Sequence, residues 1–167
     1  FMTKTNVFFM YIINEYIQVL ISKKASDAVK ANYYQEQIEA AQFIYQELVK
    51  IKPLSAIVPN QMLHNAAYNH GKDCQKSGQL QHWGSDGSNT WERLQGAAPG
   101  IIDGDQVLVG DATDLREVVI LMLVNQVLYN RSRALVLLQP QWTNIAAADV
   151  GMVGKRNDCW IITLGKL

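Results

Sequence analysis

The amino-acid sequence predicts an α+β fold or an α/β/α layered domain, because helical periodicity dominates its first part and two β-prone runs close it. The β-prone runs cover residues 143–153 and 159–164, and the polar segment 154–158 between them is typical of a hairpin loop. A chain of 167 residues with 49% apolar residues can bury a sizeable core. We therefore expect one principal domain over residues 33–167, preceded by a helix and linker over residues 1–32.

The first predicted element is an apolar helix between Val7 and Ile21. On a helix its polar residues share one narrow face, and the broad opposite face is apolar. The polar face holds Asn14, Glu15, Gln18 and Ser22, and the apolar face holds Phe9, Ile12, Ile13, Tyr16, Ile17 and Leu20. The segment is too short and too often interrupted by polar residues to span a membrane. We expect its apolar face to pack on the rest of the chain, on a second copy, or on a protein partner.

Two longer helices follow. The first covers residues 34–51 and ends at Pro53, because proline cannot continue a helix. The second runs from Asn60 to Ser77, and Gly78 stands where a helix commonly stops.

Later elements are shorter. A strand is predicted at 106–109, within a segment rich in glycine and aspartate. A long apolar helix is predicted at 115–128, and a shorter helical stretch at 135–138 is closed by Pro140.

The segment 81–94 is the most distinctive part of the sequence. Gly84 and Gly87 permit backbone angles that most residues avoid, so a tight turn is expected directly after His82. Asn89 can then cap a helix over residues 90–96, and Glu92 completes the asparagine form of a capping box. The turn is thus predicted to fix His82 beside a helix N-terminus. By itself, the motif favours the alternative of a well-built loop with a hydrogen-bonded histidine.

Charge and cysteine content narrow the function classes. Fifteen basic residues balance fifteen acidic ones, so nothing indicates a nucleic-acid partner. The only two cysteines, Cys74 and Cys159, lack metal-type spacing. They are compatible with one long-loop disulfide in an oxidising compartment, or with two unrelated buried thiols.

His70, Asp73 and Cys74 can face one another on one helix, since they lie three and four residues apart. A metal pair uses such spacing, but a histidine packed among apolar residues is more often a satisfied core residue, and we favour that interpretation. His64 falls on another face and is expected to be exposed.

The acidic residues between 103 and 114 are expected to be solvated turn residues, because the regular spacing of a calcium loop is absent. They are Asp103, Asp105, Asp111 and Asp114. Ser85 and Ser88 near His82 lack the strand-turn-helix setting of a nucleophile, so serine catalysis is not expected.

Taken together, several segments resemble the CAP superfamily (cysteine-rich secretory, antigen 5 and pathogenesis-related-1 proteins) in its bacterial SCP-like form. The resemblance covers roughly residues 35–167. It implies a three-layer α-β-α sandwich with a central cleft, here with an extra N-terminal helix. The matching residues are Leu63, Ala66, Ala67, His70, Asp73, His82 to Ser88, Arg93, Arg116 to Val119, Arg131, Leu137, Leu138, Pro140, Trp142, Trp160, Ile161 and Gly165.

In that family two histidines and two carboxylates line the cleft and can hold a divalent cation. By this resemblance His82 matches the first histidine, and Asp105 matches the first acid, a glutamate in the family. Asn125 stands at the position of the second acid and Arg133 at that of the second histidine. A guanidinium repels a cation, so the site looks degenerate, and Arg133 is expected to pair with Asp105 beside His82.

The resemblance therefore favours a non-enzymatic, secreted or surface-located binding or structural module in an extracellular assembly. The expected cleft residues are His82, Ser85, Asp86, Asp105, Asn125 and Arg133. The alternatives are lipid or sterol binding that depends on a divalent metal, and hydrolase-like activity with His82 as general base. No cofactor is expected. Zinc or calcium would bind at His82 and Asp105 only if the cleft kept more of the family's metal ligands than the sequence indicates.

Overall fold

The computed structural model describes residues 5–50, 58–139 and 141–167, which form two compact units. The first unit draws on the described residues of Phe1–Ala56 and Leu115–Pro140. The second draws on those of Ile57–Asp114 and Gln141–Leu167. The chain is mixed α+β, as predicted: the helices and strands fall in both halves of the sequence, and the strands of the described part join in one four-stranded sheet.

The first unit is helical. Its elements are α1 (Thr5–Ser22), α2 (Ala28–Lys50), α5 (Leu115–Ile120), a π-helical turn (Leu121–Asn125), α6 (Gln126–Tyr129) and α7 (Arg131–Leu137). The long apolar helix predicted over 115–128 is thus helical throughout, with one widened turn at its centre. The second predicted helix begins at Ala28, six residues before the expected start, because Asp27 accepts a hydrogen bond from the Lys30 amide and caps it.

Helix α1 confirms the predicted division into two faces. Ile12, Ile13, Ile17 and Leu20 are buried, whereas Asn14, Gln18 and Ser22 are exposed. The apolar face finds its partner within the chain, because α1 packs against α2. Between these helices the Tyr16 hydroxyl donates to Gln37 Oε1 at 3.0 Å, and burial raises the pKa of Tyr16 to about 12. None of the helices in the described part of the chain is long and apolar enough to cross a membrane.

The second unit holds the sheet and two helices. Its strands are β1 (Val58–Pro59), β2 (Asp103–Val109), β3 (Asn144–Val153) and β4 (Arg156–Lys166), in the order β1-β3-β4-β2. β1 runs parallel to β3, and the other two pairings are antiparallel. Helices α3 (Gln61–Ser77) and α4 (Thr90–Ala97) complete the unit.

Helix α3 lies against β3 and β4. Ala67 and Cys74 pack there with apolar residues of both strands in one buried cluster. Gly71 permits the close approach, because a Cβ at this position would lie 2.8 Å from Val150 Cβ. This contact places Gly71 of α3 directly against β3.

Two strand boundaries correct the sequence-based expectations. β2 begins at Asp103, so Asp103 and Asp105 are strand residues and not part of an acidic loop. The cause is pairing along β4, where Asp103 lies opposite Lys166. The hairpin loop also shrinks to two residues, since Val153 pairs with Arg156 and Gly154 takes a positive φ of 58°.

Candidate functional site

Within the second unit, α3, the turn over residues 84–88 and α4 border a cavity of about 390 Å³ that is open to solvent. Helix α3 contributes Ala66, Asn69, His70 and Asp73. The turn contributes Gly84, Ser85, Asp86 and Ser88, and α4 contributes Arg93 and Ala97. The cavity lies in the lower part of the volume range, roughly 300–1,000 Å³, that is usual for small-molecule sites.

Both helices that border the cavity are stabilised by capping interactions. Asn60 accepts a hydrogen bond from the Leu63 amide at the start of α3, and Gly78 ends that helix with a positive φ of 73°. At α4, Asn89 and Glu92 form the predicted capping box, with bonds of 2.9 and 3.0 Å. The lining side chains are therefore carried by well-anchored helices.

His70 forms the floor of the cavity and is only 2% exposed. Its Nε2 lies 2.7 Å from the Gln81 carbonyl oxygen, which can only accept, so Nε2 carries the proton and donates it. Burial lowers the pKa of His70, which keeps the ring neutral. Nδ1 is then a hydrogen-bond acceptor, and it has no partner among the described residues. The prediction of a core histidine is confirmed, with one of its two nitrogens satisfied.

Cys74 lies one helical turn after His70. Its Sγ is 3.6 Å from both His70 Nε2 and the Gln81 carbonyl oxygen. Burial raises the pKa of the Cys74 thiol, so it stays protonated. Cys74 and Cys159 are both buried free thiols, which decides against the disulfide.

Asp73 ties the turn to α3. Its two carboxylate oxygens accept from the Ser85 amide, at 2.7 Å, and from the Ser85 hydroxyl. These two hydrogen bonds lower the pKa of Asp73. The Ser85 hydroxyl is therefore occupied in holding the loop.

The turn itself is closed by short-range bonds. The Gly84 amide donates to the Ser88 carbonyl at 2.8 Å, and the Gly87 amide donates to the Gly84 carbonyl at 3.0 Å. Gly87 has a positive φ of 84°, which explains the second glycine. Asp86 accepts from the Ser88 amide at 2.9 Å, and hydrogen bonds from Ser88 lower its pKa.

Arg93 joins the turn, α4 and the sheet. Its Nη1 donates to the Ser88 carbonyl at 2.9 Å, and its Nη2 donates to the His82 carbonyl at 2.7 Å and to Gln106 Oε1 at 3.1 Å. Gln106 is fully buried in β2 and donates in turn to Thr163 Oγ1 at 3.1 Å. Burial lowers the pKa of Arg93, although a guanidinium stays protonated. Its Nε–H is buried and has no acceptor among the described residues.

The residues predicted for the cleft fall in both units. His82 and Asp105 belong to the second unit, where His82 is exposed and Asp105 lies in β2. Asn125 ends the π-helical turn of the first unit, and Arg133 lies in α7. The predicted pairing of Arg133 with Asp105 beside His82 stays a prediction. Ser85 and Asp86 do line the cavity in the second unit.

The cavity brings together residues that the sequence did not single out as site residues. Asn69 and Arg93 line it, of which Arg93 entered only as part of a family pattern, and so does His70, which the sequence analysis favoured as a core residue. The available signal was the helical spacing that puts Asn69, His70 and Asp73 on one side of α3.

The hydrogen bonds of this arrangement hold the turn in place. The Ser85 hydroxyl donates to a carboxylate and not to a histidine, so the relay that activates a serine nucleophile is missing here. Among the described residues, no group of three or more histidine, cysteine or acidic side chains could hold a metal ion. His64, expected to be exposed, is partly buried and stacks on Tyr68 with a ring separation of 6.4 Å.

Comparisons with known proteins support the fold. No protein-family model matches the chain, and no curated protein matches it. Similar solved structures include an outer surface protein of Borrelia burgdorferi, at 14% identity and a TM-score of 0.54, covering 84% of this chain and 96% of that one. They also include an extracellular protein with an SCP domain from Bacillus anthracis, again at 14% identity and a TM-score of 0.54. That match covers 80% of this chain but only 38% of the Bacillus chain. The chain is therefore similar in fold to an SCP-domain protein, as the sequence resemblance implies.

Proposed function

We propose that this chain is a non-enzymatic binding module with the SCP-like α-β-α sandwich, and that it works at the cell surface or outside the cell. One observation carries the proposal: the polar side chains around the cavity hold a rigid recognition surface and do not activate a nucleophile. The two similar structures, which are those of an outer surface protein and an extracellular protein, support the location.

The rigidity has a definite origin. Asp73 fixes Ser85 from α3, and Arg93 fixes the carbonyls of His82 and Ser88 from α4. Since these groups are already ordered, a ligand would not have to order them on binding, which favours affinity.

A catalytic role for His82 is the alternative. The His82 backbone carbonyl accepts from Arg93, which gives this residue a part in holding the turn. The decisive experiment measures turnover by the purified chain on panels of ester, peptide and glycosidic substrates. We expect no turnover. Turnover that disappears in His82→Ala would refute the proposal, and Trp83→Ala, the neighbouring exposed position, is the matched control.

At positions 125 and 133 the chain carries Asn125 and Arg133, where the family has an acid and a histidine. These two differences support the proposal that no cation binds at the cleft implied by the resemblance. An asparagine cannot supply the negative charge of a carboxylate, and an arginine cannot coordinate a metal. We expect titration calorimetry with zinc and with calcium to show no tight binding. A submicromolar affinity that is lost in His82→Ala would establish the metal-dependent alternative instead.

A further inference from the structure

We infer that the cavity between α3, the turn over residues 84–88 and α4 binds a small, neutral, hydroxyl-rich ligand of the carbohydrate class. This inference rests on the proposed function and names the ligand class of the same binding module. Four properties of the cavity lead to it.

The first property is the mixed polarity of the walls. Seven of the ten lining residues carry polar side chains, and the others are Ala66, Ala97 and Gly84, yet apolar atoms supply somewhat more of the lining surface than polar atoms do. A sugar presents both hydroxyl and C–H groups to such a wall, whereas an acyl chain or a sterol would leave the polar groups without hydrogen bonds, which costs free energy. The mixture favours a ligand that carries both kinds of group.

The second property is a pair of unmatched hydrogen-bonding atoms. His70 Nδ1 is an acceptor and Arg93 Nε–H is a donor, and neither has a partner among the described residues although both are buried. Both residues line the same cavity. A hydroxyl group donates one hydrogen bond and accepts others, so neighbouring hydroxyls can satisfy an acceptor and a donor together.

The third property is the balance of charge. The cavity has two carboxylates, Asp73 and Asp86, and one guanidinium, Arg93. The carboxylates disfavour an anionic ligand, and the guanidinium disfavours a compact cation. Each carboxylate retains lone pairs beyond the bonds it accepts from serine, and these can accept from ligand hydroxyls. A neutral polyol suits this mixture best.

The fourth property is the presence of aromatic rings next to the lining residues in the chain. Trp83, which is 61% exposed, precedes Gly84 of the turn, and Trp91, which is 36% exposed, stands two residues before Arg93. The face of an indole ring is electron-rich and attracts the polarised C–H groups that a sugar ring presents. An exposed tryptophan that adjoins the turn in the chain, Trp83, favours a sugar over a simple polyol.

The test uses the full chain and glucose, N-acetylglucosamine and maltose as separate probes, with binding followed by saturation-transfer NMR and titration. We expect at least one probe to bind with a Kd in the range of about 1 mM or below. Binding should also shift the ¹⁵N resonance of His70 Nδ1, because that atom gains a donor.

Asn69 offers a blocking variant. It is exposed on α3 and lines the cavity, so Asn69→Trp fills the entrance without disturbing the core. Asn65→Trp is the matched control, since Asn65 is exposed one turn earlier on the same helix and is not part of the lining. We expect Asn69→Trp to weaken sugar binding at least tenfold and Asn65→Trp to change it less than twofold, both with unchanged circular dichroism.

Two results would overturn the inference. One is the absence of binding by all three sugars, and the other is equal binding by wild type and Asn69→Trp. Decanoate and choline serve as comparison probes of apolar and cationic character. If either binds and its binding is weakened by Asn69→Trp while the sugars do not bind, the carbohydrate assignment is wrong but the binding module stands. Turnover that depends on His82 would instead refute the proposed function itself.

Discussion

Replacing Arg93 with methionine should destabilise the second unit by about 1.5–3 kcal/mol. The methionine keeps much of the aliphatic stem but removes every donor of the guanidinium. The bond to Gln106 Oε1 matters most, because Gln106 is fully buried and a hydrogen bond to a charged group contributes roughly 1.5–3 kcal/mol. The carbonyls of His82 and Ser88 lose their donors too, but water replaces them in part, so we assign about 0.5 kcal/mol to each. The variant also avoids the cost of desolvating the guanidinium charge, and this offsets about 1 kcal/mol of the loss in stability.

Thermal unfolding followed by circular dichroism measures this loss. For a chain of this size, 1 kcal/mol shifts the midpoint by roughly 2–4 °C, so a decrease of about 3–12 °C is expected. Hydrogen exchange adds a local readout, since the amides of Gly84, Ser85 and Gly87 should lose protection when the turn loses its anchor.

Arg156→Met is the matched control, because Arg156 is exposed at the start of β4. It should change stability by less than about 0.5 kcal/mol. If Arg93→Met were as mild as this control, with the amide protection of the turn intact, the assignment of Arg93 as the anchor of the turn would be wrong.

Three further outcomes follow from the packing of α3. Gly71→Ala should lower the free energy of unfolding in urea by about 1–3 kcal/mol, because the added Cβ would overlap Val150. The cost of this overlap exceeds the gain of roughly 1 kcal/mol in helix propensity, so a stabilised variant would contradict the packing. Burial lowers the pKa of His70, so the unfolded chain binds a proton at this imidazole more readily than the folded chain does. The free energy of unfolding should therefore decrease as the pH falls below about 6.5. Urea unfolding across that range should show a weaker pH dependence in His70→Gln. Burial raises the pKa of Cys74 and Cys159, so a colorimetric thiol reagent should modify neither in the native chain and both after unfolding; rapid native labelling would show that one is accessible.

The sequence predicts the elements whose ends are decided locally. Asn60 caps an amide three residues later, Gly78 accommodates its own positive φ, and Asn89 and Glu92 satisfy each other across one turn. Each signal and its partner lie within four residues, so reading the sequence in short windows suffices.

Boundaries set by distant partners were not predictable. β2 extends back to Asp103 because Lys166, 63 residues later, lies opposite it in β4. The two-residue β1 exists only through parallel pairing with β3, where Val58 lies opposite Asn144. No local propensity encodes such pairings, since a strand boundary depends on the length of its neighbour.

The sequence predicts single elements of the site, such as the turn after His82, better than it predicts which side chains meet there. The turn after His82 was correctly expected, but the histidine that lines the cavity is His70. The cause is the backbone carbonyl of Gln81, which orients the His70 ring. Every residue carries such a carbonyl, so its sequence gives no sign that it will act as a partner.

The structure of the turn makes the buried His70, and not the exposed His82, the histidine of interest for ligand binding. Asp73 and Arg93 hold the turn from two helices, and in doing so they occupy the Ser85 hydroxyl and the His82 carbonyl. Among the described residues of the second unit, the buried side-chain nitrogen and oxygen atoms left without a hydrogen-bond partner are His70 Nδ1 and Arg93 Nε. Both belong to residues that line one cavity, and they differ in hydrogen-bonding sense. Leaving two such atoms unsatisfied costs roughly 1–3 kcal/mol each, which a ligand with paired hydroxyls would recover on binding. The proposed recognition of such a ligand therefore rests on the same residues that make the turn rigid.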